Sequence, residues 1–306
     1  MSVRALAKPA AERLILLSGV PALWRLRRRA DVLVLAYHNI VPDDAGPCGD
    51  ASLHLRRSRF AAQLELLCRT HTVVPLLDAL SPDGAPHGRP WAAITFDDAY
   101  QGALTLGAAE LERRGLPATV FVAPQFVGGA AFWWDRVVLP LDPRARANFR
   151  HRALTECAGR DDAVRELAAR CGLAEQDVPA YARCASESEI RHAVAAAGVA
   201  LGSHSWSHPN LAALTATEVA EEVTRPLAWL RARFDSVVPL LAYPYGQLSD
   251  VAADVAARAG YSGALRIAGG WLRRDRADRM RLPRVDVPAE LSGPGFTLRA
   301  SGLFAA

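Results

Sequence analysis

Apolar and polar positions follow two different periods along this chain. Short runs with almost no polar residue occur at Val32–Tyr37 (VLVLAY), Trp91–Phe96 (WAAITF), Ala118–Val122 (ATVFV) and Val237–Tyr243. Runs of this length, rich in β-branched and aromatic residues, predict strands buried on both faces. Val199–Leu201, Ala264–Ile267 and Arg281–Val287 predict further strand segments, and Val73–Val74 the start of a short one. Between these runs the apolar residues recur at helical spacing. Phe60, Leu64, Leu67 and Cys68 share one side of a helix over Ser58–Cys68. Leu76–Leu80, Ala103–Arg114, Thr215–Phe234 and Asp250–Ala259 read the same way, with Pro226 expected to kink the third. Strand–helix–strand order predicts a parallel sheet flanked by helices, curved strongly or closed into a barrel.

One region breaks the alternation. From Phe132-Trp133-Trp134-Asp135 the chain is dominated by Ala, Arg and Leu, with helices expected over Asp135–Leu141, Ala145–Cys157, Asp161–Cys171 and Ser186–Ala197. This predicts a largely helical insertion at about 132–197 within the α/β domain of residues 31–300. The aromatic cluster that opens it has two open uses, lining a substrate groove or anchoring the insertion to the sheet. Pro82, Gly84, Pro86, Gly88 and Pro90 mark an exposed connection. Residues 1–30 read as an amphipathic helical segment. Its apolar run Leu14–Leu23 is interrupted by Ser18, Gly19 and Pro21, is short for a membrane span, and precedes its basic cluster. The expectation is packing on the domain or peripheral membrane contact through residues 13–29.

Composition narrows the classes. Of the 306 residues 51% are hydrophobic, which supports a sizeable core and argues against global disorder. The formal net charge is +4, concentrated in Arg25, Arg27, Arg28 and Arg29 and in Arg273, Arg274, Arg276, Arg279 and Arg281. No nucleic-acid module accompanies these runs, so no nucleic-acid partner is expected. The five cysteines, Cys48, Cys68, Cys157, Cys171 and Cys184, include no CxxC pair and are odd in number. That favours a reducing compartment, hence a cytoplasmic location, with the inner membrane surface as the place of peripheral contact.

The chemistry starts where a strand ends in acid, at Thr95-Phe96-Asp97-Asp98. Ligand sites in α/β folds lie beyond the carboxyl ends of strands. His204-Ser-Trp-Ser-His208-Pro209 sets two imidazoles four residues apart, which a helix or helical turn would aim at one metal. With Asp98 as third ligand the set is His2Asp, suited to a divalent cation, zinc first and Co2+, Ni2+ or Mn2+ as alternatives. Asp97, aimed differently, is then free to take a water proton.

TFDD at Thr95–Asp98, HSWSHP at His204–Pro209 and AYPYG at Ala242–Gly246, in that order, resemble the polysaccharide deacetylase family, the carbohydrate esterases with a NodB homology domain. The resemblance implies a NodB-like distorted (β/α) barrel with the helical insertion between the first and second motifs. It implies Asp97 as catalytic base, Asp98, His204 and His208 as metal ligands, and the backbone N–H of Tyr245 as oxyanion donor. Two features depart from the family pattern. The third motif lacks its early arginine, and no histidine follows His208 to serve as the late general acid. Tyr37-His38-Asn39-Ile40 instead resembles the rearranged branch similar to poly-N-acetylglucosamine deacetylases, in which an early histidine, here His38, takes the acid role. In Leu282-Pro283-Arg284-Val285-Asp286, Arg284 is expected to replace the missing arginine on Asp97, and Asp286 to orient or charge-stabilise His38; the alternative for both is a surface ion pair. Trp271 is read either as part of an acyl or sugar pocket or as core. His54, His71, His87, His151 and His192 lack motif context.

The function these residues imply is metal-dependent hydrolytic N-deacetylation of an amino sugar carried on a glycan, lipid or nucleotide. O-acetyl ester hydrolysis is the alternative within the same chemistry. A catalytically inactive carbohydrate-binding protein is the alternative outside it.

Overall fold

A computed structural model describes residue 12 and residues 14–81, 88–275 and 277–303. The rest of the N-terminal segment, the connection through Pro82, Gly84 and Pro86, His87 and Arg276 lie outside the described residues. The strands are β1 (Val32–Tyr37), β2 (Asn39–Val41), β3 (His54–Arg56), β4 (Thr72–Val73), β5 (Trp91–Phe96), β6 (Ala118–Val122), β7 (Val199–Ser203), β8 (Val237–Ala242), β9 (Gly263–Gly269) and β10 (Leu282–Asp286). Seven of them, in the order β1-β10-β9-β8-β7-β6-β5, run parallel, and β1 pairs with β5 from Val32↔Trp91 to Tyr37↔Phe96 to close the ring. The other edge of β5 is shared, with β4 beside Trp91 and Ala92 and β6 beside Thr95 and Phe96. The result is a closed parallel barrel with helices outside it, as expected from the strand–helix alternation.

Period-two alternation decides what fills the barrel. Leu33, Leu35 and Tyr37 cluster with Ile94, Phe96, Val120, Val122 and Leu201, and with Phe60, Leu64 and Leu67 of the helix Arg57–Thr70. This is the layer between barrel and helices. Val32, Val34, Ala93, Phe121, Leu240, Ala242, Leu265 and Leu282 form a second cluster, which fills the barrel itself. Gly202 shares the inward register. A Cβ there would lie 2.6 Å from the Phe121 ring and 3.0 Å from the Leu240 carbonyl oxygen, so the interior has room for one aromatic ring and no side chain opposite it.

The helices form where sequence signals are strongest. Glu187–Ala197 opens on a capping box of Ser186 and Glu189 and stops at left-handed Gly198; Ala216–Arg231 opens on Thr215 and Glu218. The latter stays one helix through Pro226. The helix expected over Ala103–Arg114 begins as a π-turn, Ala103–Gly107, and Gly102 before it abuts the Ile40 carbonyl, where a Cβ would sit at 2.2 Å. Between β6 and β7 the helices are Trp133–Arg136, Pro143–Thr155, Asp161–Arg170 and Glu187–Ala197. The first is shorter than the expected Asp135–Leu141. Val137 leaves helical geometry to make a bridge with Glu175, and Pro140 follows. The small parallel pair of β2 and β3 was not foreseen in the sequence.

Gly202→Ala is expected to cost about 2–3 kcal/mol of unfolding free energy, since the Phe121 ring has nowhere to retreat. Urea denaturation of the variant and of Gly202→Ala/Phe121→Leu measures this. The double variant should recover part of the loss, and a single variant as stable as the parent would contradict the inward packing.

Candidate active site

The inward register carries the polar residues of the barrel mouth. His38 continues Val32, Val34 and Ala36 beyond β1. Asp97 continues Ala93 and Thr95 beyond β5, and His204 continues Ala200 and Gly202 beyond β7. Arg284 and Asp286 follow Leu282 on β10. An alternation that is apolar for most of each strand turns polar at the carboxyl end, where the sheet no longer needs a dry interior.

Arg284 is fully buried, not a surface cation. Its Nη1 and Nη2 donate to Asp97 Oδ1 and Oδ2, both at 2.7 Å, and Nη1 also reaches Thr95 Oγ1 at 3.1 Å. Thr95 in turn donates to the Leu35 carbonyl oxygen at 2.7 Å. Burial alone would raise the Asp97 pKa, but the charge of Arg284 and the nearby His204 outweigh it and hold the carboxyl well below the usual range. Asp97 is therefore an ionised acceptor with a fixed orientation.

The backbone then turns sharply. Asp98 and Ala99 have φ of 69° and 49°, a left-handed conformation that non-glycine residues rarely adopt. The turn sends Asp98 away from Arg284 and toward the histidines. Asp98 Oδ1 lies 3.5 Å from His204 Nε2 and 3.2 Å from His208 Nε2, and the two Nε2 atoms are 3.2 Å apart. His204 Nδ1 lies 2.8 Å from the Ala242 carbonyl oxygen, which assigns the proton to Nδ1 and leaves the Nε2 lone pair facing the carboxylate. Burial pushes the His204 pKa down to about 4, so the ring is neutral at neutral pH. Asp98 Oδ1 is buried without a hydrogen-bond partner. A carboxylate oxygen and imidazole nitrogens converging in a buried space repel one another unless a cation lies between them. The donor set of Asp98, His204 and His208 thus fits a single divalent metal ion.

His204 and His208 lie on a loop, not on the helical turn expected from their spacing. Ser205 and His208 both have positive φ, 61° and 58°. Glu222 holds this loop. Its carboxylate accepts from the Trp206 and Ser207 N–H groups at 2.9 and 2.8 Å and from the Ser207 hydroxyl at 2.6 Å. Sequence reading missed Glu222. The available signal was an acid on the core face of a helix, in register with Val219, Val223 and Pro226.

Asp97, Asp98, His204 and His208 line one cavity of about 290 Å³, together with His38, Tyr245, Asp286, Trp134 and Arg150. His38 and Asp286 share the cavity wall, and burial raises the Asp286 pKa while the His38 charge opposes the rise. No hydrogen bond joins the two among the described residues. Tyr245 has φ 58° and its hydroxyl is fixed between Trp133 Nε1 and the Gly159 carbonyl oxygen, each at 3.0 Å. Phe132 and Trp133 are buried, and Trp134 lines the cavity with its ring centroid 4.9 Å from that of His208. Trp271 lies elsewhere, packed on His71 and bonded to the Arg299 carbonyl, and is core. His54, which lacked motif context, joins a buried network. Its Nε2 is 3.0 Å from Asp135 Oδ1, and Tyr100 donates to Asp135 Oδ2 at 2.5 Å while accepting from Trp134 Nε1 at 2.8 Å.

A closed parallel barrel with a His-His-Asp cluster at its carboxyl mouth defines a metal-dependent hydrolase of the deacetylase type. The polysaccharide deacetylase family model matches residues 84–264, more than half of the chain, and the chain belongs to that family. None of the curated proteins matches it. Solved structures share the fold at low identity. The Streptococcus pyogenes deacetylase PplD, in complex with acetate, matches with TM-score 0.59 and 16% identity over 88% of this chain and 97% of that one. IcaB from Ammonifex degensii gives 0.60 and 18% over 90% and 98%. A de-N-acetylase from Aggregatibacter actinomycetemcomitans gives 0.62 and 14% over 88% and 99%.

Two variants test this geometry. Arg284→Leu strands Asp97 as a buried unpaired charge and should cost about 3–5 kcal/mol in chemical denaturation, with Asp97→Asn restoring part of it. Glu222→Ala frees the histidine loop and should weaken divalent metal binding by about 10–100-fold in calorimetric titration. Unchanged affinity would show that the loop needs no such tether.

Proposed function

We propose that this protein removes the N-acetyl group from an amino sugar by hydrolysis, as a member of the rearranged branch in which an early histidine supplies the acid. The observation that carries the reading is the meeting of Asp97, the His2Asp cluster and His38 around one cavity.

Asp98, His204 and His208 would hold a divalent cation, zinc by the borderline character of imidazole ligands, which when bound would supply a Lewis acid beside Asp97. The chain's own groups divide the remaining work. Asp97 accepts the proton of the attacking water. Arg284 keeps that carboxylate ionised and aimed. As the water oxygen bonds to the acetyl carbon, negative charge grows on the carbonyl oxygen, and the Tyr245 N–H is the proposed donor to it. His38 gives a proton to the nitrogen as the carbon–nitrogen bond breaks, so that acetate and a neutral amine leave. Asp286, on the same cavity wall, is the proposed partner that positions His38 for that transfer. Trp134 and Tyr245 supply apolar wall for the acetyl methyl group. The substrate class is an N-acetylated sugar within a glycan or on a lipid or nucleotide carrier.

The test is acetate release by metal-loaded protein from chitooligosaccharides, poly-N-acetylglucosamine oligomers, N-acetylated sugar nucleotides, lipid-linked sugars and O-acetyl sugars. Metal-dependent release from an N-acetyl substrate is expected, with Asp97→Asn lowering kcat by about 10²–10⁴-fold. His38→Gln should impair amide hydrolysis far more than hydrolysis of p-nitrophenyl acetate, whose leaving group needs no proton. Release from esters alone would redirect the chemistry to O-deacetylation, and release from none would overturn the enzymatic reading.

A further inference from the structure

The helix Val20–Arg27 rests on the barrel through one face. Pro21 is buried, Arg25 and Arg28 are half-buried, and Trp24 Nε1 donates to the Gly302 carbonyl oxygen at 2.8 Å. The opposite face is apolar and uncovered. Val20, Leu23 and Leu26 form an exposed apolar row along it, and Leu14 and Leu17 precede it, before the left-handed turn at Gly19; the five are each 41% to 84% exposed. Among the described residues nine large apolar side chains are exposed to this degree, and five of them are in this segment. Scattered exposed leucines need no explanation, but a concentration of this kind in one short segment does.

A basic rim borders it. Arg27 and Arg29 are exposed, and Arg28 stands 3.4 Å from Asp31. The charges of both Arg28 and Arg273 act on Asp31, so the arginine run after the helix and the run at Arg273–Arg274 meet although they are far apart in sequence. Arg274 lies over the ring of Trp91, the first residue of β5, and Val32, the first of β1, pairs with Leu272. Both runs therefore sit at the amino end of the barrel. Asp31 and Asp275 on this rim each stand beside an arginine, Asp275 at 3.8 Å from Arg273. Among the described residues no helix is long and apolar enough to cross a bilayer.

We propose that this face docks the protein on the surface of an anionic phospholipid bilayer. The leucine row enters the boundary between headgroups and acyl chains, and the arginine rim rests on the phosphates. Charge chooses this occupant. Arg27 and Arg29 stand exposed at the end of the apolar helix, and an anionic surface complements them. The inference goes beyond the catalytic reading and does not depend on it. It also sets an orientation. The catalytic cavity is at the carboxyl ends of the strands, so a protein docked by its amino end presents the cavity away from that bilayer.

Sedimentation of the full chain with vesicles tests the proposal. Vesicles of phosphatidylcholine alone and with phosphatidylglycerol are compared at low and high salt. Binding to the anionic vesicles, weakened by salt, is expected, and Leu23→Ser/Leu26→Ser should lower the partition coefficient about ten-fold or more. Arg27→Ser/Arg29→Ser should reduce the preference for phosphatidylglycerol. Both variants should keep the parent's thermal midpoint, which separates loss of docking from loss of fold. Absence of binding by the parent, or binding unchanged in the leucine variant, overturns the proposal. So does a concentration-dependent dimer in light scattering that the leucine variant abolishes, since that gives the face to a second copy.

Discussion

Arg284 enters the barrel with no exposed surface and closes both guanidinium Nη atoms on the two oxygens of Asp97. Removing two charges from water costs several kcal/mol per ion, and only close, two-pronged geometry offsets it. The rest of the mouth depends on that pairing. It holds Asp97 ionised in a space that would otherwise favour the protonated form. It also leaves Asp98 as the carboxylate without an arginine, and hence the one free to face the imidazoles. Two adjacent residues of one type thus acquire opposite surroundings within a single turn of backbone. The left-handed conformations of Asp98 and Ala99 are the local cost of that separation.

The barrel supplies the geometry cheaply. A closed parallel sheet alternates inward and outward residues on every strand, so one polar substitution per strand at the carboxyl end is enough to build a site. His38, Asp97, His204, Arg284 and Asp286 come from four strands far apart along the chain, and strand parity alone points them at a common axis. Loops then refine the aim. The left-handed turns at Ser205, His208 and Tyr245 lie beyond the strand ends, where the parity rule no longer applies. Each is held from outside the strand, by Glu222 for the histidine loop and by Trp133 and Gly159 for Tyr245.

This division explains what was legible in the sequence. Strands buried on both faces write uninterrupted apolar runs, so β1, β5 and β6 could be read to the residue. The metal ligands were legible because two histidines and two carboxylates stand in short local patterns. Arg284 could be inferred because a neighbouring motif lacked an expected cation. Three things were hidden. The loop conformation of His204–His208 was misread as helical, since a spacing of four residues does not distinguish a helix from a turn with positive φ. Glu222 and Asp135 are acids within helical stretches, and only their burial reveals them as ties rather than solvated charge. The pair of β2 and β3 is too short and too polar at His54 and Arg56 to write a strand pattern.

The insertion shows how such hidden ties reach the chemistry. Trp134 packs against His208, so its placement affects a metal ligand without touching the cation. Its Nε1 is fixed by Tyr100, Tyr100 by Asp135, and Asp135 by His54 of β3. One end of this chain of bonds is in the insertion and the other in the small sheet beside β1, with Tyr100 two residues past Asp98. A helical segment that only covered the barrel would need none of these buried polar contacts, and an apolar interface would be less costly to form. The polar interface fixes orientation as well as contact, and what it orients is the wall of the cavity next to His208. The insertion therefore contributes to the site, since the region of the chain that looks least like the rest of the domain lines the cavity beside His208 through Trp134, Arg150 and Leu154.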